Sequence, residues 1–182
     1  MVRAIGCIEL NSIAMGMHTA DEMAKAALVE LVMARPTCPG RYLVVVAGDT
    51  GAVQSSVDTG RAIGGGMVVD SFVLANVHAD VFPALSGTGL RGAVNALGVI
   101  ETGTTASCIL AADAAAKAAQ VELLEIRFAA GLGGKAFVVM TGDVGSVKAA
   151  VEAGVAGVGE SGPVLSHIVI PSPSAEFKAQ LL

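Results

Sequence analysis

Cys38 is the residue of this chain best placed to do chemistry. It stands in Pro36-Thr37-Cys38-Pro39-Gly40, a rigid turn where a thiol serves neither a core nor a regular element. Cys7 alternates with Ile5 along an apolar strand pattern, and Cys108 lies in a helical run of Ala and Ile, so both read as small buried hydrophobes. The three cysteines form no CxxC pair and no disulfide framework, a usage that suits a reducing compartment. One thiol cannot hold a metal cluster. Three chains around a threefold axis would bring together three thiolates, most of the ligation of a cubane iron–sulfur cluster, if Cys38 faces that axis.

Other motifs carry less. Gly157-Val158-Gly159-Glu160-Ser161-Gly162 matches a dinucleotide fingerprint in letters only, because it follows a helix pattern, precedes a strand pattern and lacks the later acid. Gly131-Leu132-Gly133-Gly134-Lys135 lacks the spacing and hydroxyl of a phosphate loop, which leaves a tight turn or, functionally, a pore lip. His18, His78 and His167 have no zinc spacing, and no nucleophile elbow or Ser/His/Asp arrangement is legible. Glu9 and Glu101 read as repeated structural acids. The chain is therefore expected not to be an enzyme.

The elements that carry these residues are written twice. Ala4-Ile5-Gly6-Cys7-Ile8-Glu9 returns as Ala96-Leu97-Gly98-Val99-Ile100-Glu101, and the run Ala20 to Leu31 returns as Ala112 to Leu123, both displaced by 92 residues. Gly48-Asp49 returns as Gly142-Asp143, displaced by 94, and the ends, Val73 to Ala75 and Val169 to Pro171, align at 96. So long a period exceeds a solenoid unit and marks two domains, 1–86 and 93–182, joined by a linker at 87–92. In each half the periodicities predict β-α-β-β-α-β-α. In the first these are strands at 4–10, 29–34, 42–47 and 67–75, helices at 14–32 and 51–63, and a helical turn at 79–85. This is an α+β fold, a mixed or antiparallel sheet with helices on one face.

With 182 residues, a formal charge of −5, five Phe, one Tyr and no Trp, the chain has no basic, aromatic-interleaved stripe for nucleic acid. Charges interrupt every apolar stretch before it could span a membrane, and Met1-Val2-Arg3 enters a strand without a signal peptide, so a soluble cytoplasmic protein is expected. Domains this small and poor in aromatics would gain from burying surface against other copies.

The repeated Ala-x-Gly-x-Ile-Glu and Ala-Asp-x-x-x-Lys-Ala-Ala-x-Val-Glu-Leu resemble the bacterial microcompartment shell domain. Asn76-Val77-His78 is similar to its edge segment, and two copies in unpermuted order resemble a tandem-domain shell protein. Cys38-Pro39-Gly40-Arg41-Tyr42-Leu43 and the Gly-x-Gly-Gly-Lys run resemble the iron–sulfur branch found in propanediol-utilisation microcompartments. The resemblance implies two ferredoxin-like-related domains, a homotrimer imitating a hexamer, and tiling with other shell proteins in the shell of a cytoplasmic microcompartment. It places Cys38 at the central pore, three copies binding one [4Fe-4S] cluster for electron transfer across the shell. Thr37, Pro39, Gly40, Gly131, Leu132, Gly133 and Gly134 would line that pore. Lys25, Lys117, Asn76 and His78 would lie at the tile edge. The sequence departs where the family has arginine, here Asn76 and Ser172, and Ser174 stands at the counterpart of His78. The alternative implied is a cluster-free tile whose pore conducts small metabolites.

Overall fold

The computed structural model describes residues 4–89, 93–128, 133–159 and 162–181. Compactness divides the chain into two units. The first runs to Val77 and also holds Thr104–Ala106 and Phe128–Gly134; the second holds His78–Gly103, Ser107–Arg127 and the chain from Lys135 onward. The expected linker runs into residues 90–92, outside the described ones.

The first unit contains β1 (Ala4–Leu10), α1 (Ile13–Ala26), β2 (Glu30–Thr37), β3 (Arg41–Gly48), α2 (Thr50–Gly64) and β4 (Val68–Leu74). Its sheet has the order β2-β3-β1-β4, antiparallel at every junction. β3, Tyr42-Leu43-Val44-Val45-Val46-Ala47, is apolar with three central β-branched valines and is buried along this whole run, as suits a strand paired on both edges. Gly6, Ile8 and Leu10 of β1 face α2. A Cβ on Gly6 would lie 2.5 Å from Val57, and Gly60 and Gly64 of α2 sit against Ile8 and Leu10. Glycine at these positions leaves room for the Val57, Ile8 and Leu10 side chains to pack against bare backbone. The core of this layer is Ile8, Leu10, Met23, Val44, Val46, Val53 and Val57.

α1 is capped by Ser12, whose Oγ accepts from the Met15 N–H at 3.3 Å, and ends at Ala27, which is extended. The sequence pattern carried this helix on to Val32. Instead Glu30 and Leu31 belong to β2, opposite Ala47 and Val46. No Gly or Pro marks the stop, and the ladder to β3 ends the helix. Asp49 occupies the cap position of α2 without a side-chain capping bond, as does Asp143 ahead of the helix Val144–Gly157; both still place a negative charge at a helix N-terminus.

The second half of the chain repeats the plan with α3 (Val81–Leu85), β5 (Ala96–Thr102), α4 (Thr105–Ala118), β6 (Val121–Phe128), β7 (Ala136–Gly142), α5 (Val144–Gly157), β8 (Val164–Ile170) and α6 (Ala175–Leu181), of which the first two residues of α4 and the last of β6 belong to the first unit. Its sheet order is β6-β7-β5-β8, with β5 antiparallel to both neighbours. Even the irregularities recur: the register slips at Glu9/Leu10 opposite Val69 and at Glu101/Thr102 opposite Leu165. Among the described residues no helix is long and apolar enough to cross a membrane.

Candidate functional site

β2 and β3 form a hairpin whose turn carries Cys38. Thr37 closes β2 opposite Arg41 and is buried, with a hydroxyl that has no hydrogen-bond partner. Cys38 is half-buried and in no disulfide, and Pro39 and Gly40 are exposed. Gly40 has φ +79°, a conformation that glycine adopts without a Cβ clash. The loop before β7 meets this turn in the first unit: a Cβ on Gly134 would lie 3.1 Å from Pro39 Cδ and 3.4 Å from Arg41 Nη1. Gly133 and Gly134 also have positive φ and lie in a turn; Gly131 and Leu132 are outside the described residues. Two of the expected pore segments are thus brought side by side.

Behind this turn lies a pairing that the letters of the sequence did not announce. Arg41 Nη1 donates to Glu9 Oε1 at 2.7 Å, and the other oxygen, Oε2, accepts the Thr105 N–H at 2.8 Å. Thr104 Oγ1 donates to Asp70 Oδ2 at 2.6 Å beside them. The repeat reproduces the ion pair as Glu101 and Lys135, 2.8 Å apart. Arg35, on the same hairpin, lies over the ring of Phe128 at the end of the strand Val121–Phe128 at 4.4 Å, a cation–π contact.

The expected edge residues fall into two groups. Lys117 and His78 meet through Asp113, a buried acid: its Oδ1 accepts the His78 N–H at 2.7 Å and its Oδ2 pairs with Lys117 at 2.6 Å. Lys25 pairs with Asp21 and Glu22 on an exposed helix face, and their carboxylates, Asp21 first, hold its ammonium above the usual lysine range. Asn76, with φ +63°, is the one non-glycine residue of positive φ among those described, so it serves the turn after β4 whatever else it touches. His78 Nδ1 accepts from the Asp80 N–H at 3.3 Å.

Cys7 and Cys108 are fully buried. Burial, then Glu9 and Asp70, pushes the Cys7 thiol well above its ordinary range, and burial raises Cys108 to about 12. Neither suits thiolate chemistry, which leaves Cys38. Among the described residues no three His, Cys, Asp or Glu converge for a metal within one chain. An open groove of about 340 Å3 near Asn95, Glu122 and Asp143 contains none of the residues singled out from the sequence. Arg41, Lys135 and Asp113 were missed by reading motifs, although the repeat places Asp-x-x-x-Lys and a Glu with a later cation in both halves.

The sequence pattern that describes the BMC domain matches residues 4–77 and again 96–173. The bacterial microcompartment shell protein PduT of Citrobacter freundii is 43% identical over 182 residues, which is all of this chain and 99% of that protein. A microcompartment protein from Desulfitobacterium hafniense DCB superposes with a TM-score of 0.90 at 49% identity, covering 98% of this chain and 99% of the other. The fused permuted hexameric shell protein MSM0275 of the RMM microcompartment shares the fold, with a TM-score of 0.66 at 23% identity over 86% of this chain and 83% of that one.

Proposed function

Because the chain belongs to the BMC domain family and carries that domain twice, we propose that it is a structural tile of a bacterial microcompartment shell. Three copies would place six domains in a ring that imitates a hexamer. The domain's double occurrence carries the reading, since a tandem pair needs three chains to supply six positions. Tiles would meet other shell proteins along edges bearing Lys25, Lys117, Asn76 and His78. Light scattering and electron microscopy of the purified chain test this. Particles of three 18.1 kDa chains that form flat layers are expected, and a single-chain particle at every concentration would overturn it.

The turn at Cys38 would face the centre of that ring, with Thr37, Pro39, Gly40 and Gly131 to Gly134 around the opening. The donor set fits a cofactor shared by three chains. Each chain offers one half-buried thiol, and beside it a buried Thr37 hydroxyl has hydrogen-bonding capacity to spare. Cys38 from three chains would hold one [4Fe-4S] cluster, which supplies one-electron chemistry when bound. Glu9 and Arg41 hold the hairpin that presents the thiol. A second reading is favoured by the single thiol that each chain contributes: without a cluster the same opening would be a pore for small metabolites, its lip formed by glycines and Pro39.

A further inference from the structure

Among the described residues three side-chain hydroxyls are shut off from water and have no hydrogen-bond partner, those of Thr19, Thr37 and Thr105. A buried polar group without a partner is costly, and native folds keep few of them. Thr19 lies inside α1 and Thr105 opens α4. Thr37, 6% exposed, ends β2 and is joined through its peptide to Cys38, the half-buried thiol. Of the three it alone adjoins a thiol along the chain.

Thr37 reaches no acceptor in the turn as it stands, and the charged residue opposite it supplies only donors. That residue is Arg41, its partner in the β2–β3 register, so the two side chains share a face of the sheet. A guanidinium accepts no hydrogen bond, and Arg41 itself is held by Glu9 Oε1. One acceptor is still to be made there. A thiol sulfur accepts weakly, whereas a thiolate accepts as an ionised group does. Consecutive Cα atoms lie about 3.8 Å apart, which puts the Thr37 hydroxyl and the Cys38 sulfur in reach of each other by side-chain rotation. The second half of the chain writes its loop as Ala129-Ala130-Gly131-Leu132-Gly133-Gly134, where hydroxyl and thiol are both missing.

We infer that the Thr37 hydroxyl donates to the Cys38 sulfur once that sulfur ligates iron, and thereby raises the reduction potential of the cofactor that three chains share. Ligation exchanges the Cys38 S–H proton for iron and passes the proton to water, with no change of oxidation state. The sulfur then carries negative charge, and Thr37 gains the acceptor it lacks. A hydrogen bond to a ligating sulfur favours the more negative, reduced form, one of the levers that set such potentials. Burial keeps water from competing for the Thr37 hydroxyl, so the bond is not exchanged for one to solvent. The inference rests on the shared-cluster reading above and names the residue that tunes it.

The test is a redox titration with dithionite, read by EPR, on anaerobically reconstituted Thr37→Val and Thr37→Ser beside the wild type. Valine keeps the branched shape without the hydroxyl, and a hydroxyl with no partner leaves no broken bond behind, so the iron-free variants should melt with the wild type. Thr37→Val should shift the reduction equilibrium about tenfold toward the oxidised form, a potential about 59 mV lower for one electron. It should also lose iron to a chelator faster. Thr37→Ser, which keeps the hydroxyl, should match the wild type in both readings. An iron-loaded wild type whose potential is unchanged in Thr37→Val, or shifted equally in the two variants, overturns the inference and leaves the shared cluster standing. A wild type that binds no iron on reconstitution overturns both.

Discussion

Glu9 and Arg41 lie 2.7 Å apart with the carboxylate sealed from solvent, and the same pair returns as Glu101 and Lys135 at 2.8 Å with both partners in reach of water. One sequence pattern thus yields two electrostatic situations. Removing a buried partner strands the other charge, at a cost of about 3 kcal/mol, whereas an exposed pair contributes under about 1 kcal/mol. Glu9→Ala should therefore lower the Tm by roughly 6–12 °C, and Lys135→Ala by no more than about 4 °C. Calorimetry of the two variants at equal concentration checks the contrast; equal losses would mean that burial does not separate the pairs.

Asp113 acts on a main-chain group, which separates the effects of two neighbouring substitutions. Asp113→Ala leaves the His78 N–H and Lys117 without their acceptor and should cost about 2 kcal/mol in urea unfolding. His78→Ala keeps the N–H and should cost less than half as much. If His78→Ala were the more damaging, the imidazole rather than the backbone would hold this corner.

Packing at the glycine crossings gives a prediction of opposite signs. A Cβ at Gly16 would lie 2.2 Å from the Tyr42 Cβ, so Gly16→Ala should destabilise by about 1–3 kcal/mol. Gly51, in the first turn of α2, has open space and should gain about 0.4–1 kcal/mol as alanine. Chemical denaturation of both variants reads the difference directly.

How much of this was legible depended on whether the signal was periodic or relational. The repeat could be read because whole segments return letter by letter, and the strand Tyr42 to Ala47 and the buried Cys7 and Cys108 because each lies in a local pattern of apolar residues. The end of α1 could not, since Ala26-Ala27-Leu28 carries no stop and a ladder to β3 decides it. Arg41 escaped notice because its partner lies 32 residues away, and Thr105 because its backbone, not its side chain, reaches Glu9. The Cys38 turn was legible as an oddity, and Gly134 as part of a glycine loop at the same opening; what only the fold supplies is the approach of Gly134 to Pro39 and Arg41.

The buried thiols give a pH dependence. Cys108 ionises near pH 9 when unfolded and near 12 when folded, so the folded state holds the proton over that interval. Stability from this group is complete below pH 9 and falls as pH rises toward 12, by up to about 1.4 kcal/mol per pH unit. Cys108→Ala should flatten that part of the stability–pH curve. In native protein at pH 8, a thiol reagent should modify Cys38 and spare Cys7 and Cys108.

Iron and sulfide content with EPR, on anaerobically purified and reconstituted protein beside Cys38→Ser, bears on the shared site most directly. About four irons and four sulfides per three chains, lost in an assembled Cys38→Ser variant, is the expected result. Iron-free assembled protein after reconstitution, or equal iron in the variant, would mean that the three Cys38 thiols do not meet on a common cluster.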